Sequence, residues 1–271
     1  YITAHLDHPA FVVRKQIDQR RLEMEFRGGV NDAYFVGTLV EVFDNEGNGY
    51  IGTIESLHQK SKPFKRVIVK LRKSVAGFLI QDDVARWKFP PPVIKNGLLH
   101  APACDDLAGV ASAIAALDTI KKMPRLGHVG VLLTRAEEIG FVGAIAAAKH
   151  NTVPKSSRLL CLETSRSFPE SPIGSGPILR VGDKTSVFGP ELTNRIAEIM
   201  GTQKKVRWQR KLMPGGTCES TAFCSYGYLS TCLCLPLGNY HNMKNIDGVL
   251  HQKKPARVAP EIISIEEFHG L

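Results

Sequence analysis

The sequence has no run of the roughly 18 to 20 apolar residues needed to cross a bilayer as a helix. Its longest candidate, Ala108–Leu117, is short, alanine-rich and amphipathic, and predicts a buried helix. Aromatics are scarce, 7% of residues, and they do not interleave with the basic side chains. A formal charge of +9 raises nucleic acid as a partner. The excess is scattered, however, in pairs such as Arg14-Lys15, Arg20-Arg21, Lys121-Lys122, Lys204-Lys205 and Lys253-Lys254. Without a stripe of basic and aromatic residues it reads as a solvated surface, with no nucleic acid and no membrane as partner. The six cysteines stand at 104, 161, 218, 224, 232 and 234, and none forms a CxxC pair or a zinc-finger spacing. Cys232 and Cys234 share a face of a predicted strand. Buried free thiols in a reducing cytoplasm are the simplest account. Internal repeats and low-complexity tracts are also lacking. The chain opens at Tyr1 in mid-strand, without an initiator methionine, and stops at Leu271 on what reads as a first helical turn. A longer protein is therefore expected, with any leader outside the sequence.

What is present is ordinary for a globular chain, 43% hydrophobic and 23% charged over 271 residues, enough for one large domain or two modest ones. Three regions differ in texture. Residues 1–9 hold a short strand, YITAHLD. Residues 10–95 alternate as strands near Phe11–Val13, Leu22–Phe26, Tyr34–Phe43, Tyr50–Ile54 and Arg66–Leu71, with a hairpin turn at Asp44-Asn45-Glu46-Gly47-Asn48-Gly49. Strands without intervening helices predict a small β-barrel or sandwich, closed by the stiff Pro90-Pro91-Pro92. Residues 96–271 alternate helix and strand. Helices are expected near Leu107–Leu117, Val142–Lys149, Glu191–Met200 and Thr217–Tyr226. Strands are expected near Val129–Thr134, Leu159–Leu162, Ile178–Val181, Lys205–Trp208 and Leu229–Leu235. On the 107–117 helix, Leu107, Val110, Ala111, Ile114 and Leu117 recur at core spacing. Such alternation predicts an α/β fold, a mostly parallel sheet with helices on both faces, with the β-rich module inserted into it. Ligands on such sheets bind at the carboxyl ends of strands.

The chemistry-bearing residues fall at those ends. His5 and Asp7 close the first strand, where residues two apart share a face. A carboxylate beside a ligating imidazole fixes its tautomer. Asp105-Asp106 precedes a helix; Asp106 is explained as its cap, which leaves Asp105 available to bridge two cations. Glu137-Glu138 follows an apolar strand, so one can bind metal while the other faces a water. Glu163 ends LLCL, and His241 follows the last strand across a loop with Pro236 and Gly238. Singly each is weak, and His241 alone would more often be structural. Together they supply two imidazoles and three carboxylates with no thiolate, a donor set suited to zinc, cobalt or manganese. Two such ions about 3.5 to 4 Å apart share a hydrolytic nucleophile.

The runs HLDHP, ACDDLAG, TRAEEIGFVGA, CLETS and YHN, in this order, resemble the dinuclear metallo-aminopeptidases related to glutamyl aminopeptidase, including the tetrahedral aminopeptidases. GPILRVGDKTSVF and GGTCESTAF resemble that family's accessory motifs. The likeness covers nearly the whole chain. It implies that Asp105 bridges two divalent ions, zinc first among them. His5 and Glu163 would complete one site, and Glu138 and His241 the other. Glu137 would be the general base, Asp7 would orient His5, and the Asp105–Asp106 peptide would be cis. It also implies short peptides as substrates and a homo-oligomer built from dimers, up to a dodecamer, with the inserted β domain serving assembly. The long gap from His5 to Asp105 selects this branch, because carboxypeptidase-like and acylase relatives place their extra domain between the fourth and fifth ligands. Departures from the family's pattern are His8 for Glu, Leu107 for Arg, Cys218 for the Asp of GGTD, and Glu163 for Asp. Alternatives are a metal-dependent amidohydrolase or carboxypeptidase-like enzyme on N-acyl amino acids, and a non-catalytic scaffold of the same fold. The scaffold is disfavoured because all seven positions are filled.

Overall fold

The computed structural model describes residues 1–75, 79, 81–203 and 206–271. The chain divides into two compact units, Tyr1–Asp7 with Val93–Tyr240 and Glu261–Leu271, and His8–Pro92 with His241–Pro260.

The first unit is built on a six-stranded sheet in the order Val131–Thr134, Ile2–His5, Arg158–Arg166, Leu229–Leu237, Ile178–Asp183, Gln209–Met213. The first four strands are parallel. Ile178–Asp183 runs antiparallel to Leu229–Leu237 and parallel to Gln209–Met213. Side chains alternate between faces, and both faces are apolar on the central strands, as a sheet covered by helices on each side requires. Leu159, Cys161, Cys232 and Cys234 pack on one face with Ala144 and Ala148 of helix Val142–Lys149 and with Ala222 and Phe223 of helix Glu219–Ser225. Leu162 and Leu233 pack on the other with Val110 and Ala113 of helix Cys104–Ile120 and with Ile196 and Met200 of helix Pro190–Thr202. The thiols are all free, five of them buried, and Cys232 and Cys234 do share a face.

Two local expectations are corrected. Leu107 and Ile114, expected in the core, are 48% and 52% exposed. The reason lies at the helix start: Cys104, Asp105 and Asp106 are buried, so the inward stripe continues through Gly109, Val110 and Ala113 at helical spacing. The strand expected near Lys205–Trp208 lies instead at Gln209–Met213, in register with Ile178–Asp183; the Lys204-Lys205 pair lies outside the described residues.

In the second unit, six antiparallel strands close a barrel in the order Ala10–Gln16, Arg21–Arg27, Lys65–Leu71, Gly49–His58, Leu39–Phe43, Val84–Trp87. Val84–Trp87 completes the circuit by pairing with both Ala10–Gln16 and Leu39–Phe43. Phe11, Phe26, Phe35 and Trp87 fill it, with ring centroids from 4.7 to 6.2 Å apart. Asp44 to Asn48 form the expected hairpin turn, while Asp32–Tyr34 is a short helical turn rather than the start of a strand. His241–Pro260, expected with the α/β part, belongs to this unit. Its hairpin Met243–Lys244 with Arg257–Val258 is tied down by the Tyr34 hydroxyl donating to the Lys244 carbonyl at 2.8 Å and by Met243 Sδ accepting from Asn31 N–H at 3.4 Å. Closure pairs every barrel strand on both sides, so among the described residues the barrel leaves no open edge.

Candidate functional site

In the first unit the parallel strands bring their carboxyl ends to one edge. Thr3 is level with Cys161, so His5 and Glu163, each two residues further on, point to the same face. Glu163 stands within its strand rather than at its end, because pairing with Leu229–Leu237 extends that strand to Arg166. His5 Nε2 lies 3.3 Å from Asp105 Oδ1 and 3.4 Å from Glu163 Oε1. Ligand atoms of all three converge within 4.8 Å, and all three residues are buried. The donor set of one imidazole and two carboxylates, out of water and mutually in contact, fits a divalent cation of the zinc, cobalt or manganese type. Glu138, on the loop after Val131–Thr134, brings a carboxylate oxygen within 4.8 Å of one from Asp105.

Each of these residues is held by a second contact. His5 Nδ1 is 3.0 Å from the backbone carbonyl of Asp7, whereas the Asp7 carboxylate is 3.6 Å away. The carbonyl therefore accepts the Nδ1–H and turns Nε2 toward the Asp105 and Glu163 carboxylates, the nitrogen a cation would engage once it is deprotonated. The Asp7 carboxylate has another task. Oδ1 and Oδ2 accept the backbone N–H groups of Glu137 at 3.1 Å and Glu138 at 3.2 Å, which fixes the loop that carries both glutamates. Asp106 is more than a cap: it accepts the Gly109 N–H at 3.2 Å, and also the His5 backbone N–H at 3.3 Å. The helix start is thereby pinned to the first strand. A Cβ on Gly109 would lie 2.4 Å from Asp106 Oδ1, so only glycine leaves room for that carboxylate. The Asp105–Asp106 peptide is cis.

Electrostatics follow from this crowding. Burial alone would lower the His5 pKa, but Glu163, Asp105 and Asp7 outweigh it and raise it well above the ordinary value. Burial, then Glu163 and further carboxylates, pushes Glu137 well above the usual carboxylate range. Burial likewise raises Asp106 and Glu163. A cation among these groups reverses that balance.

His241 belongs to the second unit, in the turn Tyr240–Asn242 with φ 51°. Its Nδ1 lies 2.7 Å from the Gly29 carbonyl, which accepts the ring N–H and sets the tautomer with its lone pair on Nε2. His8, in the same unit, meets Asn242 Oδ1 at 3.0 Å. Of the remaining departures, Leu107 is exposed and Cys218 is fully buried. The backbone N–H of Cys218 donates to Asp183. His58, in the barrel unit, is exposed.

Among the buried acids not singled out from the sequence are Glu219 and Glu261. Glu219, in GGTCES, is 3% exposed, and burial pushes its pKa up to about 7 against the pull of the Thr134 hydroxyl. Glu261 is fully buried and accepts the backbone N–H of Asp105 at 3.0 Å. The signals were that Glu219 lies in the motif GGTCESTAF and that Glu261 precedes the apolar Ile262-Ile263.

The family model described as M42 glutamyl aminopeptidase matches residues 1–254. Among solved structures, a TET aminopeptidase from the archaeon Thaumarchaeota archaeon SCGC AB-539-E09 is 19% identical with a TM-score of 0.76, covering 99% of this chain and 77% of that one. The Pyrococcus horikoshii TET1 peptidase, described as assembling into a tetrahedron or a large octahedral shell, is 18% identical with a TM-score of 0.74, over 99% and 79%. An aminopeptidase from Desulfurococcus kamchatkensis is 18% identical with a TM-score of 0.73, over 99% and 75%. At these identities the structures establish the fold. Among curated proteins, none matches by sequence.

Proposed function

This chain belongs to the M42 glutamyl aminopeptidase family, a family of metal-dependent hydrolases, and from that membership we propose that it removes amino-terminal residues from short peptides with two divalent cations and Glu137 as general base. The observation that carries the proposal is the buried convergence of His5, Asp105 and Glu163 beside a loop whose Glu137 amide is clamped by Asp7. As the family likeness implies, His5, Glu163, Asp105, Glu138 and His241 would hold the two cations. Zinc is the first expectation, with cobalt or manganese as alternatives. When bound, such ions polarise the scissile carbonyl and acidify a water toward a pKa near 7. Glu137 would take a proton from the attacking water at its carboxylate as the C–O bond forms to the carbonyl carbon, and return it to the amine nitrogen as the C–N bond subsequently breaks. Asp7 contributes by position: it holds the Glu137 and Glu138 amides and, through its carbonyl, the His5 ring. Relatives described as a dodecamer and as tetrahedral or octahedral shells support a homo-oligomer for this chain.

The deciding experiment is a screen of free and N-acetylated peptides after reconstitution with zinc, cobalt or manganese. Release of the amino-terminal residue from free peptides only is the expected result. Cleavage confined to N-acyl amino acids would replace the proposal with an amidohydrolase.

A further inference from the structure

The structure assigns Glu261 a positioning role: its fully buried carboxylate fixes the backbone of Asp105, and so the aim of the carboxylate proposed to be shared by both cations. The assignment rests on the metal-site reading and adds a residue to it. Helix Cys104–Ile120 starts irregularly. Ala103 offers no side-chain cap, and Asp105 and Asp106 have non-helical backbone angles. The Asp105 amide therefore needs an acceptor from outside its own helix. Glu261 Oε2 supplies it at 3.0 Å. Glu261 opens strand Glu261–Ser264 and pairs with Ala101 of Leu98–Ala101, so the strand register sets where its carboxylate stands. Ile263, two residues on and on the same face, is anchored in the core with Cys104, Ala108 and Leu237. A carboxyl group with no solvent exposure is costly unless it makes bonds that an apolar residue cannot. Glu261 makes such a bond to the backbone amide of Asp105. Contacts of this kind, one step behind a ligand, are typically worth about 10- to 100-fold in metal affinity.

The test compares two conservative variants of the full chain, Glu261→Gln and Glu261→Asp. Glutamine keeps an acceptor oxygen at the same reach and removes the charge. Aspartate keeps the charge and withdraws the oxygen by one methylene. Cobalt affinity is measured by chelator competition, the visible absorption of bound cobalt reports coordination geometry, and thermal unfolding of the metal-free proteins reports stability. Expected is near wild-type affinity and spectrum for Glu261→Gln, with an affinity loss of about 10-fold or more and an altered spectrum for Glu261→Asp. The reverse order would show that charge matters rather than the bond, and would overturn the assignment. So would unchanged affinity and spectrum in both variants, even with lowered unfolding temperatures. A wild-type protein that binds no cobalt, zinc or manganese would instead bring down the metal-site reading on which the assignment rests.

Discussion

The carboxylate of Asp7 accepts the backbone N–H of Glu137 at 3.1 Å. A residue expected to serve the His5 ring through its carboxylate thus also clamps the loop of the proposed base, while the ring's nearer acceptor is the Asp7 carbonyl at 3.0 Å, with the carboxylate at 3.6 Å. Asp7→Ala removes the clamp and keeps the carbonyl. Turnover is expected to fall by about 10-fold or more, because a misplaced base loses most of its proton-transfer advantage, while zinc affinity changes less. Steady-state kinetics beside metal titration would check the split; an affinity loss with unchanged kcat would contradict it.

Glu137→Gln retains shape and hydrogen bonding but cannot accept the water's proton. A kcat loss of roughly 10² or more is expected, with metal content unchanged by elemental analysis. Near-normal turnover at full metal loading would move the role elsewhere.

Gly109→Ala drives a methyl into the Asp106 carboxylate, 2.4 Å away. The carboxylate must release the Gly109 and His5 amides. Destabilisation of about 1 to 3 kcal/mol, the usual range for overpacking, is expected in denaturant unfolding, together with weaker metal binding. A neutral result in both measurements would show that the helix start has slack.

Metal-free protein should lose stability as pH rises. Glu137 and Asp106 are raised well above the carboxylate range, and His5 well above the ordinary histidine value. In each case the folded state binds the proton more tightly, so the contribution is fully present below the unfolded pKa and is lost as pH climbs through the folded one. The window opens near pH 4, the ordinary carboxylate value, and extends past neutrality; Glu219, at about 7, lies inside it. Metal binding requires deprotonated ligands, so the stabilisation by added zinc should grow over the same window. Each site adds about 2.7 kcal/mol at free metal 100 times its Kd. Unfolding temperatures from pH 5 to 8, with chelator and with zinc, would test both slopes, and parallel curves would refute the coupling.

Light scattering of the active protein at micromolar concentration should give a multiple of the chain mass of 29.8 kDa. A strict monomer that hydrolyses peptides would remove assembly from the proposal. Among the described residues the closed barrel offers no strand edge for it, so contacts through side-chain surfaces are expected.

By itself the sequence determined the period of each element, and with it an α/β part and a β-rich part. Apolar alternation at two residues or near four is a local property that survives without neighbours, and helix Val142–Lys149 fell where the spacing put it. The site residues were nominated because most of these acids and histidines stood at the ends of predicted apolar strands, where this kind of sheet binds ligands, although Glu163 lies within its strand. Tertiary structure decided the rest. The period of helix Cys104–Ile120 did not reveal which of its faces turns inward; the burial of Asp105 and Asp106 at its start did, and left Leu107 outside. Whether the β strands formed a sandwich or a barrel depended on Val84–Trp87 pairing with two distant strands. The residues behind the site, Asp106 on His5 and Glu261 on Asp105, are separated in sequence from the amides they hold by 101 and 156 positions. No local pattern encodes a hydrogen bond across such a distance; it exists only when the chain has folded.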